Sequence, residues 1–331
     1  MNEAALQFVL GIDIGGTNLV VGAVRTDGLQ VLGVHSQPTD ASRGPEAVIA
    51  DLISMGRTTL RQLQAELPEA EMLGVGIGSP GPLNTRTGVV ILTPNLGWVN
   101  MPVRDRVAAG LGLPASLDND ANCAVLGECW VGAGRGKRCV VGLTIGTGIG
   151  GGIVLEGRLH HGVSDCAAEV GHMTINLNGR RCGCGNDGCL EAYASGPAIA
   201  ARAIEQLRAG AASTLSTLVD GALDRVTAAT VYAAAAAGDE LANEVVRDTA
   251  LYLGVGVANL VNIFNPDCVV IAGGVIAAGD HLLVPLRREV ARRAFRPAVE
   301  ACTIVPAALG NHAGVIGAAR VFMLTNGIGA A

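Results

Sequence analysis

The chain has no run of lysine and arginine and no basic helix face; only 16% of its 331 residues are charged, and the formal net charge is −6. That balance excludes nucleic acid and anionic membrane as expected partners. No segment has the length of a membrane span. The run Cys139–Leu155 is 17 residues without a charge, but it holds six glycines and two threonines and falls short of the ~20 residues a helix needs to cross a bilayer. Met1 to Phe8 carry no secretory signal, and the nine cysteines form no regular disulfide framework, so a reducing cytoplasm is the expected compartment. No stretch has the composition of a flexible linker.

What is present is apolar. Half of the residues are hydrophobic, a well-buried globular composition. A chain of this length exceeds one comfortable core, and two units are the natural division.

The densest chemistry lies in Glu169–Glu191, EVGHMTINLNGRRCGCGNDGCLE, which packs a histidine, three cysteines and two flanking carboxylates into 23 residues. His172, Cys182, Cys184 and Cys189 make a Cys3His set, the donor set of a closed tetrahedral zinc site. The glycines between the cysteines relieve the backbone, so that three sulfurs close in sequence can converge. The plain alternative is three buried thiols in a glycine-rich turn.

Residues 8–24, FVLGIDIGGTNLVVGAV, read as strand, tight turn and strand around Gly15-Gly16. Such a turn offers backbone N–H groups to a phosphate, Thr17 adds a hydroxyl, and Asp13 can hold Mg2+ through water. The alternative is an ordinary hairpin. Residues 140–153, VVGLTIGTGIGGGI, repeat the pattern: with Val9 laid on Val140, Gly11 falls on Gly142, Ile14 on Ile145 and Gly15 on Gly146. The repeat hints at duplicated β-domains. Neither stretch is a P-loop, because no lysine follows the glycines, and neither is a dinucleotide fingerprint, because the glycines lie between strands.

Elsewhere the spacing predicts a packing helix over Pro45–Leu67, with Val48, Leu52, Met55 and Leu63 near one stripe. Residues 73–83 predict a strand running into a Pro/Gly loop, and the Gly97-Trp98 region a further loop with Trp98 as a core or hinge residue. Residues 117–134, LDNDANCAVLGECWVGAG, place two carboxylates and two amides where a helix over Ala121–Val131 begins. Asp118 or Asp120 can be simply an N-cap; a second acid there can also be a general base. Further helices are expected over Ala198–Leu207, Leu241–Phe264 and Asn311–Leu324. Residues 210–240 read as surface helices, and 267–275 as a buried strand leading to Gly273-Gly274.

These motifs together resemble the ROK family (repressors, open reading frames and sugar kinases), most closely its bacterial glucokinase-like members. DIGGT at 13–17, SPGP at 79–82, DNDAN at 118–122, GTGIGGG at 146–152, EVGH at 169–172 and CGCGNDGCLE at 182–191 stand in the family's order. The resemblance implies a two-lobed actin-like ATPase (ribonuclease H-like) α/β fold with a hinged cleft, the sugar deep between the lobes and ATP above it. The expected division is a smaller lobe over 1–117, completed by a C-terminal helix at 311–331, and a larger lobe over 118–310 that carries the zinc loop 169–191.

By the same resemblance Asp120 looks like the catalytic base for a sugar 6-hydroxyl. Gly81, Asn119, Glu169, His172 and Glu191 look like further sugar contacts, with His172 serving zinc through one ring nitrogen and sugar through the other. Asp13, Gly15, Gly16, Thr17, Thr144, Gly146, Thr147 and Gly148 look like phosphate clamps, and Gly273 and Gly274 border the adenosine. The implied activity is ATP-dependent phosphorylation of a hexose, glucose first, with Mg2+ and a structural Zn2+ as cofactors and a homodimer or homotetramer as the assembly. N-acetylmannosamine, N-acetylglucosamine or fructose are the alternative acceptors. The family's other branch, sugar-responsive repressors, needs a DNA-binding winged helix before DIGGT, and Asp13 leaves only twelve residues for it.

Overall fold

The computed structural model describes residues 6–329. Met1–Ala5, part of the stretch read for a leader, lie outside the described residues, as do Ala330 and Ala331 at the end of the expected terminal segment.

The strands and helices in chain order are β1 (Gln7–Ile14), β2 (Asn18–Arg25), β3 (Val31–Pro38), α1 (Pro45–Glu66), β4 (Glu71–Ser79), β5 (Leu83–Asn84), β6 (Val89–Thr93), β7 (Trp98–Met101), α2 (Val103–Leu111), β8 (Ala115–Asn119) and α3 (Asp120–Val131). Then come β9 (Cys139–Ile145), β10 (Ile149–Leu155), β11 (Arg158–Leu159), α4 (Glu191–Ala194), α5 (Gly196–Arg208), α6 (Leu215–Leu218), α7 (Ala228–Ala236) and α8 (Glu240–Phe264). The chain closes with β12 (Cys268–Ala272), α9 (Asp280–Arg293), α10 (Arg296–Ala301), β13 (Thr303–Pro306) and α11 (Ala313–Thr325). Among the described residues no helix is long and apolar enough to cross a membrane.

Two five-stranded sheets share one plan. The first runs β3-β2-β1-β4-β8 and the second β11-β10-β9-β12-β13. In the first, β1–β2 and β2–β3 are antiparallel, and β4 and β8 add in parallel. In the second, β10–β11 is antiparallel while β12 and β13 add in parallel to β9. The repeat of 8–24 in 140–153 is thus the opening hairpin of the same sheet built twice. A third small antiparallel sheet, β5-β6-β7, is an insertion after β4.

The chain divides into two compact units, Met1–Gly136 with Gly152–Ala167 and Ala308–Ala331, and Lys137–Gly151 with Ala168–Ala307. The first crossing comes after α3, at 136, where the sequence reading placed it at 117. The reason is packing. α11 returns to the first unit and lies against α3 so closely that a Cβ on Gly317 would sit 1.6 Å from the Cys123 carbonyl oxygen, and one on Gly76 of β4 would sit 1.8 Å from that of Ala318. Residues 152–167 also return, since a Cβ on Gly152 would meet the Val125 side chain at 2.8 Å.

The first unit's sheet is covered on both faces. Val48, Leu52 and Met55 of α1 are buried with Leu10, Ile12, Val75, Ile77 and Leu117 of the sheet, and fully buried Trp98 belongs to the same core. Val315, Ile316, Ala319 and Phe322 of α11 pack on Val9 and Val24. The buried positions of α1 recur at three- and four-residue spacing, the stripe a 3.6-residue period puts on one face. Glu128 of α3 is a buried carboxylate that sequence reasoning passed over. It accepts the N–H groups of Ala133, Ala308 and Leu309 at 2.8–3.0 Å, tying down the chain near two of its crossings.

In the second unit the long α8 ends at Asn265, a left-handed C-cap (φ 45°) just before Pro266, as expected. Residues 210–240 are less superficial than their composition suggests: Val231, Tyr232, Ala234 and Ala235 of α7 are buried.

Candidate functional site

In the first unit, four predicted positions fall at one strand end and the turn after it. Asp13 is the last residue but one of β1, and Gly15, Gly16 and Thr17 make the turn between β1 and β2. Gly15 donates its N–H to Asn18 O (2.9 Å), and its carbonyl accepts the Thr39 hydroxyl (2.7 Å), so the turn is held from within and from β3's far end. Gly16 and Thr17 stay exposed. Asp13 lies against α11, where a Cβ on Gly314 would be 2.1 Å from its Oδ2; only glycine leaves room for that carboxylate. Burial, and then the charge of Asp120, push Asp13 up to about 7.

β8 delivers the second cluster. Asn119 is the N-cap of α3, its Oδ1 accepting the N–H groups of Ala121 (2.9 Å) and Asn122 (3.2 Å). The cap is therefore Asn119, between the two acids the sequence reading weighed for that role, because it is the last β-region residue before the helix and has a side-chain acceptor of the right length. Asp120 opens the helix, with Oδ1 near its own helix's Ala121 N–H (2.9 Å). Asp118 is turned inward at 2% exposure. Its Oδ1 accepts the Asn119 N–H (2.8 Å) and Asn122 Nδ2 (3.0 Å), and its Oδ2 is 2.7 Å from His161 Nε2. Gly81, also in this unit, has φ +87° and follows the strand β4.

In the second unit, His172, Cys182, Cys184 and Cys189 converge, their ligand atoms all within 4.8 Å of one another. Cys184 Sγ and Cys189 Sγ are 3.7 Å apart, and Cys182 Sγ is 3.8 Å from His172 Nδ1. A tetrahedral ion with bonds of about 2.3 Å sets its sulfurs about 3.8 Å apart, so the donor set fits zinc in kind, number and spacing. The loop is held by short-range bonds: Cys182 N–H to Asn186 O (2.8 Å), Leu190 N–H to Met173 O (2.9 Å), and Arg180 N–H to the Tyr193 hydroxyl (2.7 Å). Burial pushes the Cys182 thiol up to about 12, while the backbone of Asn186 holds Cys184 below its ordinary value. His172 Nε2, the nitrogen turned away from Cys182, is 3.9 Å from Glu169 Oε2.

Glu191 joins this loop to the second glycine turn. Its Oε2 accepts the Ile149 N–H at 2.8 Å, and its Oε1 is 3.7 Å from Cys182 Sγ. Gly146 donates to Gly148 O (2.9 Å) and accepts from Gly196 N–H at the start of α5 (2.8 Å). Gly273 follows β12 with φ +92°, and a Cβ on it would lie 2.2 Å from the Ile145 carbonyl oxygen, so the Gly273-Gly274 turn abuts the end of β9 next to Gly146. Thr144, Gly146, Thr147, Gly148, Glu169, His172, Glu191, Gly273 and Gly274 thus belong to the second unit, and Asp13, Gly15, Gly16, Thr17, Gly81, Asn119 and Asp120 to the first. Sequence reasoning missed His161 and Gly314. The first had a signal in the His160-His161 pair just ahead of EVGH, and the second had none beyond its place in the first turn of an apolar helix.

Two α/β units on one repeated sheet plan, each with a glycine turn after its first long strand, define a two-lobed sugar-kinase-like protein of the actin and hexokinase type. The chain belongs to the ROK family, whose pattern matches residues 9–324. It is 38% identical over 317 residues to the glucokinase of Halalkalibacterium halodurans, covering 94% of this chain and 93% of that one. Among solved structures it is similar to a ROK family glucokinase from Streptomyces griseus in complex with glucose and AMPPNP, with a TM-score of 0.80, 33% identity, and 95% and 98% of the two chains covered. A xylose repressor of Bacillus subtilis is 27% identical over 316 residues, 95% of this chain and 76% of that one.

Proposed function

We propose that the chain transfers the γ-phosphoryl group of ATP to the 6-hydroxyl of a hexose, with glucose as the preferred acceptor. The observation that carries this reading is the Asn119–Asp120 step at the start of α3. There a capped helix end presents a carboxylate beside a second carboxylate, Asp13, whose proton affinity is raised by burial and by Asp120 itself. The Streptomyces griseus relative, solved with glucose and an ATP analogue, supports the same assignment.

In this mechanism Asp120 takes the proton from the sugar 6-hydroxyl as that oxygen attacks the γ-phosphorus, and ADP leaves with the electrons of the broken bond. Asn119, Glu169, His172, Glu191 and the Gly81 backbone hold the other sugar hydroxyls. A sugar lacking one of those hydroxyls leaves a polar group unmatched, which is how the site discriminates. The turns Gly15-Gly16-Thr17 and Thr144–Gly148 take the phosphates, and Gly273 and Gly274 border the adenosine. Mg2+ suits Asp13, since a cation relieves the repulsion between Asp13 and Asp120; it would neutralise phosphate charge. Zinc suits the Cys3His cluster: His172, Cys182, Cys184 and Cys189 would hold it, leaving no position for water or substrate, and it would order the loop that carries Glu169, His172 and Glu191. A cytoplasmic homodimer or homotetramer completes the reading, and sedimentation checks the assembly.

The deciding experiment is a coupled ADP-release assay across glucose, N-acetylmannosamine, N-acetylglucosamine and fructose, with the phosphorylated product identified. Glucose 6-phosphate is expected; absence of ADP release with every sugar overturns the reading, and sequence-specific DNA binding in a gel shift would favour the repressor branch.

A further inference from the structure

The loop between β11 and Glu169 is pinned at two points within the first unit. His161 Nε2 is 2.7 Å from Asp118 Oδ2. Asp165, held at φ +57°, accepts both the N–H of Thr85 (3.0 Å) and its hydroxyl (3.2 and 3.3 Å). A non-glycine residue at positive φ costs energy and persists where surrounding contacts hold it. Here the contact is the β5–β6 turn.

Asp118 is more than a partner for histidine. It is buried, and its other oxygen accepts the Asn119 N–H and Asn122 Nδ2. Asn119 in turn caps α3, and Asp120 is that helix's first residue. A carboxylate with three hydrogen bonds in fixed directions cannot rotate, so the backbone on either side of Asn119 is held. Without the imidazole, Oδ2 would be left buried with no protein donor among the hydrogen bonds described, and an unmatched buried carboxylate oxygen either finds water or swings to find another donor.

We propose that His161 is a positioning residue for the reacting carboxylate: through Asp118 it fixes the Asn119–Asp120 step, and the Thr85–Asp165 contact holds the loop so that the imidazole stays in place. The inference rests on the sugar-kinase reading only for the role of Asp120. The imidazole's hydrogen bond to Asp118 also favours its protonated, doubly donating form, which leaves the second ring nitrogen without an acceptor role to play.

The test compares wild type with His161→Ala and His161→Gln, the latter keeping an N–H donor of similar reach. Two measurements are made: steady-state kinetics with glucose and ATP, and amide hydrogen exchange in the peptide covering Asp118–Asn122. We expect His161→Ala to lower kcat about ten- to a hundredfold, with the KM for ATP little changed, and to speed exchange in that peptide; His161→Gln should recover most of both. Bound zinc should be equal in all three. Unchanged exchange in His161→Ala overturns the proposal. So does faster exchange with wild-type kcat, which would make the contact structural only, and so does a glutamine variant as impaired as alanine. If wild-type protein phosphorylates none of the sugars, the functional reading fails, while the exchange comparison still decides whether His161 holds the Asp118–Asn122 segment.

Discussion

Glu191 accepts the backbone N–H of Ile149 through Oε2 at 2.8 Å, so the last residue of the cysteine loop anchors the first residue after the Gly146–Gly148 turn. The approach is close: a Cβ on Gly148 would lie 2.6 Å from the same oxygen. One carboxylate therefore couples two elements that the sequence presents as unrelated motifs, the metal-ligand loop and the second glycine turn.

That coupling separates two variants. Glu191→Gln retains an oxygen acceptor for Ile149, whereas Glu191→Ala leaves the N–H unmatched. Hydrogen bonds to charged groups contribute about 1.5–3 kcal/mol. Glu191→Ala should therefore reduce kcat/KM for glucose by about one to two orders of magnitude and raise the KM for both sugar and ATP. Glu191→Gln should raise the sugar KM with the ATP KM near wild type. Equal ATP KM values in the two variants would show that the Ile149 contact does not shape the glycine turn.

Asp120→Asn tests the base. Asparagine preserves the volume and can still occupy the first turn of α3, so the fold should be retained. Loss of a general base lowers turnover by about 10^2- to 10^4-fold. Glucose affinity, measured by isothermal titration, should change only modestly. Wild-type turnover in this variant would exclude Asp120 as the proton acceptor.

The Cys3His cluster should hold about one zinc per chain by elemental analysis. Cys184 is the exposed member of the set, so Cys184→Ser removes one ligand with little loss of buried packing. It should lose zinc and sugar affinity together, because a bound ion would order the loop that carries Glu169 and His172. Full activity in protein shown to be free of metal would remove zinc from the description.

Much of this was legible in the sequence because it is written in local pattern. The strand–turn–strand runs at 8–24 and 140–153 are alternation around glycine. The stripe Val48–Leu63 is helical period, and the stop at Asn265-Pro266 is backbone chemistry. The convergence of His172 with three cysteines follows from residue type and short separation. The remainder depends on contacts between residues far apart in the chain. Nothing local announces that Gly76 and Gly317 must be glycine, since both are demanded by α11, more than two hundred residues beyond Gly76 in one case and its own close packing on α3 in the other. The division falls at 136 and not at the expected 117 for the same reason: the return of the C-terminal helix to the first unit was expected, but nothing local shows that α3 packs against it. His161 was hidden in the same way, because its partner Asp118 lies 43 positions earlier.

The His161–Asp118 pair also makes a prediction in pH. The hydrogen bond to Asp118 raises the imidazole above its ordinary value of 6.5; burial opposes this, and the charges of Asp118 and of Asp165 on the same loop add to it. A histidine that binds its proton more tightly in the folded state contributes its full stabilisation below the unfolded value and loses it as pH rises through the folded one. A glutamine at 161 keeps a donor that does not titrate in this range. The melting temperature of wild type relative to His161→Gln, followed from about pH 5.5 to about pH 9 at constant ionic strength, should therefore be at its maximum up to about pH 6.5 and should fall as pH rises beyond it. Thermal melts of the two proteins across that range measure it directly, and a difference that is flat, or that grows with pH, would mean that the imidazole is not charged against Asp118.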